Sequence, residues 1–325
     1  MKLSIIAAIY GVEKYIEQFA ESLFQQTVTK DVEFVFVNDC SLDDSIVILK
    51  QTLSKYQNLQ NQVKILEHKK NKGLASARLT GLENSTGNYV WFVDSDDWLE
   101  KNAVQTLLDL LEDNVNKSPD VVYFSGIYYG GRENEIRAKV TPETILTSLT
   151  WSTLWSCIIS RSFLYKNNIF PIENLNYGED RIMTSRIACM AEKSIQIANR
   201  LYHYRTDNNN SYSNTIKPIY LLQDAMGGVI VHDFYLKKGR RNFWPALFIN
   251  QAIRYFKLSK NDGRKYSKVR KELLANMFHD SILMTILYFF VGWVLPMRYR
   301  VTLLYYFRNM CYKKKAIPIT NFYNR

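Results

Sequence analysis

Two stretches of the 325-residue sequence place carboxylates directly after apolar, β-branched runs. The first, Asn38-Asp39-Cys40-Ser41-Leu42-Asp43-Asp44-Ser45, follows Glu33 to Val37, and the second, Asp94-Ser95-Asp96-Asp97-Trp98, follows Tyr89 to Val93. Asp43 and Asp44 read as a helix N-cap and its turn, because short acidic side chains accept from the free amides that open a helix. That explanation fits the second stretch poorly. Three carboxylates crowded into four residues repel one another unless something positive sits between them. A divalent cation with oxygen ligands meets that need. Mg2+ or Mn2+ is typically held by one or two carboxylates together with substrate phosphates, so an Asp-x-Asp pair after a strand points to a diphosphate bound by way of a metal.

The elements that must carry these residues alternate between two periodicities. Apolar runs at Lys2 to Ile9, Glu33 to Val37, Val63 to Glu67 and Tyr89 to Val93 predict strands. Helical spacing follows each of them, at Val12 to Gln26, Ser45 to Tyr56, Leu74 to Asn84 and Asn102 to Leu111, and a further apolar run, Val121 to Phe124, closes the series. Strands alternating with helices imply right-handed crossovers and a doubly wound, mostly parallel α/β sheet covered on both faces. In such a sheet, ligands bind beyond the carboxyl ends of the strands, where both acidic stretches fall. Residues 141 to 205 read as an insertion packed on the sheet, with helices at Arg161 to Asn168 and Asp180 to Ala191. Beyond Ile219 the chain reads as helices at Ile219 to Tyr235, Pro245 to Leu258 and Lys265 to Leu274. The expected organisation is a domain over 1–215, with a nucleotide-sugar half at 1–125 and an acceptor and base half at 126–215, then a basic helical region over 216–325.

A 47% hydrophobic content, 22% charged residues, 13 Gly and 7 Pro exclude collagen-like, low-complexity and largely disordered chains. Cys40, Cys157, Cys189 and Cys311 stand far apart, which suggests neither a zinc module nor a disulfide framework and makes a reducing compartment the default. The net charge of +11 is unevenly spread: residues 1–140 carry −5, 141–230 carry +1 and 231–325 carry +15. An acidic first part and a basic last part divide two functions along the chain, the second suited to an anionic surface. Residues 281 to 297 hold no charge and are followed by Arg298, Arg300 and a second apolar run to Phe307. The segment 281–307 is expected to lie in the interface of an anionic membrane; a buried core or dimer helix and a short span are the alternatives.

Four stretches carry a resemblance. Ser4-Ile5-Ile6-Ala7-Ala8-Ile9-Tyr10, Asn38-Asp39 with its acidic turn, Asn71-Lys72-Gly73-Leu74-Ala75-Ser76-Ala77-Arg78, and Trp91-Phe92-Val93-Asp94-Ser95-Asp96-Asp97-Trp98 resemble, in this order, the family 2 glycosyltransferases of the GT-A fold. The likeness covers about residues 1–215. It implies transfer of a sugar from a nucleotide-diphosphate donor with inversion at the anomeric carbon. It also implies that Asp39 hydrogen-bonds the base, usually uracil, and that Asp94 and Asp96 lie at the donor ribose and the metal, with Asp96 in direct contact. The family usually has Pro after the first strand, where this chain has Ala8 and Gly11.

Inverting displacement needs a base for the acceptor hydroxyl and a counter-charge for the leaving diphosphate. A base beside the cation would be its ligand, so the base is sought elsewhere. Gly178-Glu179-Asp180-Arg181 is the candidate, and the family's Glu-Asp pair at this place implies Asp180 as base with Glu179 in support; the bland alternative is an acidic first helical turn favoured by the helix dipole. Tyr202-His203-Tyr204-Arg205 and the polar loop Thr206 to Ser213 resemble the family's segment over the diphosphate, with Arg205 on phosphate. Arg78 is expected to face the donor or to be a solvated helix residue, and Trp155 to fill core. The expected protein is a cytoplasmic enzyme, peripheral on the inner face of a bacterial membrane, that uses Mn2+ or Mg2+ and extends a saccharide on a lipid carrier. A sugar-nucleotide nucleotidyltransferase would need a Gly-rich basic loop after the first strand, which Ala8 to Lys14 is not. A nucleic-acid-binding protein would not interleave its basic residues with long apolar runs.

Overall fold

The apolar runs become strands and the stretches of helical period between them become helices. The computed structural model describes residues 2–116, 118–128, 133–134, 139–147, 153–208, 218–262, 267–282 and 285–286. The strands are β1 (Leu3–Ile9), β2 (Val32–Asn38), β3 (Val63–Glu67), β4 (Tyr89–Asp94), β5 (Trp98–Leu99), β6 (Val121–Tyr128), β7 (Glu133–Asn134), β8 (Cys157–Ser160) and β9 (Ser194–Tyr204). The helices are α1 (Ile16–Phe24), α2 (Ser45–Ser54), α3 (Leu74–Glu83), α4 (Ala103–Asp113), α5 (Pro142–Leu146), α6 (Arg161–Asn167), α7 (Glu179–Met190), α8 (Pro218–Lys237), α9 (Trp244–Asp262) and α10 (Ser267–Asp280).

Packing divides the chain into two units, and not by a single cut at residue 215. One unit holds Met1–Ile136, Thr153–Glu179 and Met190–Thr215; the other holds Arg137–Ser152, Asp180–Cys189 and Ile216–Arg325. Residues 137–152 and 180–189 go with the C-terminal helices because their hydrogen bonds run there. Asn250 Nδ2 donates to the Leu146 carbonyl, Tyr235 Oη to the Ser185 carbonyl, and Arg181 pairs with Asp224.

In the sheet unit the strand order is β3-β2-β1-β4-β8-β6-β9-β5, with β7 on β6. The parallel block β3-β2-β1-β4 is the expected one, and β6 and β9 are also parallel. The second half departs from expectation. Residues 157–160 and 194–204 are strands of the sheet itself, not an insertion packed on it, and β8 runs antiparallel to both β4 and β6. Helix α1 also starts later than its periodicity suggests, at Ile16, after a turn in which Gly11 takes φ 69° and the amides of Gly11, Val12 and Glu13 bond Ser41 Oγ, Ser45 Oγ and Asp43 Oδ2.

The core is aromatic and close-packed. Phe34, Phe36, Trp91 and Phe124 are fully buried, and the Phe24 ring meets those of Phe34 and Phe36 edge-on at 5.6 and 6.2 Å. Each such side chain contributes about 1.5–3 kcal/mol by leaving water. Trp155, stacked on Tyr202 at 4.6 Å, is buried core as expected. Helix α3 lies close on β1 because Gly81 has no side chain: a Cβ there would stand 2.3 Å from Ile6 Cγ2.

The helical unit is held by smaller apolar clusters, Phe248, Ile249, Ala252 and Met277 in one and Ala225 with Leu273 in another. No helix among the described residues is long and apolar enough to cross a membrane. Of the apolar segment 281–307, only residues 281, 282, 285 and 286 lie within the described residues.

Candidate active site

Strand register sets the site. β1 pairs Ile9 with Asn38 of β2 and Ala8 with Asp94 of β4, and β2 pairs Asn38 with Glu67 of β3. The four strands therefore end in one row. The residues that step off them, Tyr10, Asp39, His68 and Ser95, share the edge where ligands of open α/β sheets bind.

Asp39 is buried there and organises the loop ahead of α3. Its Oδ1 accepts from the Lys72 amide at 2.8 Å and sits 2.7 Å from His68 Nδ1, and its Oδ2 accepts from the Gly73 amide at 2.7 Å. His68 Nε2 continues the chain to Thr80 Oγ1 at 2.9 Å. Gly73 has φ +88°, and a Cβ on it would lie 2.2 Å from Asn176 Nδ2, whose side-chain oxygen accepts from the Ala75 amide. Only glycine fits both the backbone and the space.

Ahead of it, Asp43 knots the turn that was read as a cap. Burial works to raise its pKa, but bonds from the Ser41 and Ser45 hydroxyls and the Glu13 and Ser45 amides outweigh burial and hold the carboxyl below its ordinary range.

Arg78 is neither solvated nor open to a ligand on all sides. It is 2% exposed, and its two terminal nitrogens divide between Asp94 Oδ1 and Glu179 Oε1, each at 2.7 Å. One guanidinium fork thus ties the last residue of β4 to the first residue of α7. The Asp94 amide is fixed as well, donating to Tyr202 Oη at 3.0 Å.

The turn after β4 is built by β9. Ser95 Oγ donates to the Ala8 carbonyl, anchoring the turn on β1. Asp97 is buried and accepts from Tyr202 Oη and from the Arg205 amide, each at 2.6 Å. Burial, joined by the negative charges of Asp96 and Asp94, holds the Asp97 carboxyl well above the usual carboxylate range despite those two bonds. The carboxylates of this turn repel one another, and a cation would relieve that repulsion. Asp96 Oδ2 accepts from the neutral amide of Asn208 at 2.7 Å.

Arg205, expected on phosphate, is packed onto the same turn. Its Nε donates to the Asp96 carbonyl, Nη2 bonds Gln18, and the guanidinium lies over the rings of Tyr15 and Trp98 at 4.7 and 4.9 Å. Trp98 in turn stacks on His203.

The sheet unit thus brings Asp39, Arg78, Asp94, Asp96, Glu179 and Arg205 to one set of strand ends and loops. Asp180 is the second residue of α7 and belongs to the helical unit, where its carbonyl accepts from Thr184 Oγ1 at 2.8 Å. Sequence reasoning overlooked His68, Asn176, Tyr202 and Asn208 as supports of the site. His68 had a usable signal, since it stands directly after β3. Of the loop Thr206 to Ser213, residues 209–213 lie outside the described residues.

Comparisons with known proteins agree with this architecture. Glycosyltransferase GlyA of Streptococcus pneumoniae is 32% identical over 246 residues, covering 69% of this chain and 34% of its own length. Poly(ribitol-phosphate) beta-N-acetylglucosaminyltransferase TarS of Staphylococcus aureus is 29% identical over 219 residues, 66% of this chain and 37% of its own. The chain thus spans about a third of the length of these curated relatives. A crystal structure of S. aureus TarS 1–349 in complex with UDP-GlcNAc superposes with a TM-score of 0.64 at 25% identity, covering 86% of this chain and 79% of that one. The fold is GT-A. The family model described as Glycosyl transferase family 2 matches residues 4–171, just over half of the sequence, and the chain belongs to that family.

Proposed function

We propose that the chain is an inverting glycosyltransferase that moves a sugar from a UDP-type nucleotide donor to a saccharide acceptor in bacterial surface polysaccharide synthesis. The observation that carries the reading is the Asp94, Asp96 and Asp97 turn at the strand ends of a family 2 chain. The UDP preference rests on the TarS complex and on Asp39 at the nucleotide edge, the residue that the family resemblance sets against the base. The relative named for poly(ribitol-phosphate) supports a surface-polymer acceptor, and a lipid-linked form of it is part of the proposal.

In this reading Asp96, with Asp94 beside it, holds Mn2+ or Mg2+. The residues suit such an ion: hard oxygen donors, a negative potential that already raises Asp97, and a neutral amide as the partner of Asp96 Oδ2. When bound, the ion supplies counter-charge to the departing diphosphate. Arg78 keeps Asp94 and Glu179 in fixed orientation. Arg205 turns part of its fork from Gln18 to a donor phosphate, while its stacking on Tyr15 and Trp98 keeps it at the turn. Asp180 takes the proton from the acceptor hydroxyl as the new glycosidic bond forms and the bond to the diphosphate breaks. Glu179 orients the acceptor.

Attachment to the inner face of the membrane is the outer part of the proposal. It rests on the charge of +15 over residues 231–325 and on the exposed apolar side chains of Phe278, Ile282 and Ile286. A screen of nucleotide sugars for metal-dependent hydrolysis and for protection from thermal unfolding tests the core of the reading. A UDP-sugar hit that vanishes with chelator is expected. Protection by no nucleotide sugar, or hydrolysis indifferent to chelator, would refute it.

A further inference from the structure

The helical unit carries a cluster that the proposed transfer does not use. Along α8, Leu221, Ala225, Val229 and His232 recur at the spacing of one helix face, and along α10 Val269, Leu273, Met277 and Asp280 do the same. The apolar members form the buried seam between helices. Each stripe then ends in a polar residue, and both are buried: the His232 side chain is 1% exposed and that of Asp280 2%.

His232 Nε2 stands 2.9 Å from Asp280 Oδ1. A simple hydrogen-bonded clamp would account for the pair if it satisfied both groups, and it does not. His232 Nδ1 and Asp280 Oδ2 are buried without a hydrogen-bond partner among the described residues. A buried atom of this kind costs about 1–3 kcal/mol, so the unmet Asp280 Oδ2 asks for a missing neighbour. A third donor approaches from the solvent side. His279 Nδ1 is 3.6 Å from Asp280 Oδ1, and its ring meets that of His232 edge-on with centroids 5.8 Å apart.

We propose that His232, His279 and Asp280 bind a divalent cation of the zinc type. One ligand atom from each of the three lies within 4.8 Å of the others. Nitrogen and oxygen ligands about 2.0–2.2 Å from a tetrahedral ion stand roughly 3.4 Å apart, within reach of small side-chain rotations. Two imidazoles and a carboxylate select a borderline transition metal over Mg2+ or Ca2+, which take oxygen ligands. The cluster therefore differs in kind from the all-carboxylate turn at Asp96. Asp233 Oδ1 stands 3.8 Å from His232 Nδ1, beyond hydrogen-bond reach, on the side of the ring away from the ion. His279, about half exposed, leaves a fourth position to water. The set contains no cysteine, so cysteine spacing gave no sign of it. Its effect is to pin the end of α10 to α8.

The test uses the full chain carrying Asp96→Ala, so that the carboxylate turn contributes no metal binding. After chelator treatment, Zn2+ affinity is measured by competition with a chromophoric chelator, and Co2+ is added as a spectroscopic substitute. One equivalent of Zn2+ and a visible Co2+ spectrum of tetrahedral intensity are expected, with millimolar Mg2+ unable to compete. His279→Ala, at an exposed position that folding tolerates, is expected to weaken Zn2+ binding by more than the about 10–100-fold that loss of an outer-shell partner costs. Asp280→Asn is expected to do the same. Absence of Zn2+ binding, displacement by Mg2+, or affinity unchanged by His279→Ala would each overturn the proposal.

Discussion

Buried carboxylates are met differently in the two units. In the sheet unit backbone amides join the side-chain donors: Asp39 accepts from the amides of Lys72 and Gly73 beside His68, Asp97 from that of Arg205 beside Tyr202, and Glu33 from those of Thr86 and Gly87 beside Ser4 and Lys64. In the helical unit Asp224 is met by the side chains of Arg181 and Arg254, and Asp280 by His232. The reason is local. Loops at strand ends have amides to spare, whereas amides inside a helix are spent on the carbonyl four residues back, so a helical carboxylate must find a side chain. Backbone donors hold an anion without mobile parts. Side-chain pairing keeps buried charge in the fold at the risk of orphans such as Asp280 Oδ2.

The proposed function lies with the carboxylates of the sheet edge, and the largest expected effect breaks the contrast there. Asp96→Ala should reduce transfer to background and weaken donor binding in the presence of metal, with the thermal midpoint little changed. Near wild-type, chelator-insensitive turnover in that variant would remove the metal from the mechanism.

Next comes the one functional carboxylate assigned to the helical unit. Asp180→Asn should lower the transfer rate by about 10² to 10⁴ while donor affinity, measured by calorimetry, stays nearly constant. Normal turnover in Asp180→Asn alongside an inactive Glu179→Gln would move the base role to Glu179.

Two buried arginines sharpen the comparison further. Arg78→Met leaves Asp94 and Glu179 without their shared cation, whereas Arg254→Met leaves Asp224 with Arg181 as its cation; removing one partner of a buried pair costs about 3–5 kcal/mol. Both variants should show the loss in urea unfolding. Only Arg78→Met should also weaken donor binding by the folded protein, and an equal effect from Arg254→Met would dissolve the division of labour.

Acid should act on the sheet unit through Glu33. Burial alone would raise the Glu33 pKa, but bonds from Ser4, Thr86 and Lys64 pull it from 4.5 down to about 2. Its stabilising effect, about 3 kcal/mol, is complete above pH 4.5 and is lost as the pH falls toward 2. Glu33→Gln should flatten the pH dependence of unfolding in that window.

The smallest effect concerns the membrane. Ile282→Ser should reduce binding to anionic vesicles several-fold, consistent with loss of about 1 kcal/mol of apolar burial. Full-length protein that stays in solution beside such vesicles at low salt would refute attachment.

Legibility in the sequence followed the same division. β1, β2 and β4 could be read because each is a buried, mostly apolar run, and the half-exposed β3 because of its place between two stretches of helical period. The end of β9 could be read as a strand running into Arg205, but its place in the sheet could not, and β8 is only four residues long. Asp39, Asp94 and Asp96 were legible from their place after strands. Their supports were not: Tyr202 reaches Asp97 across 105 residues and Asn208 reaches Asp96 across 112, and no local pattern encodes such meetings. Arg78 was visible as a residue, but not as the bridge between Asp94 and Glu179.

The aligned strand ends have an evolutionary corollary. A single residue inserted within β2 would carry Asp39 about 3.3 Å along the sheet and turn every following side chain to the opposite face. Length change inside these four strands is therefore closed to descent, while the surface connections, such as the stretch between α2 and β3, can grow without moving a single site atom. New donor and acceptor preferences in this lineage should arise by loop exchange over an unchanged ladder.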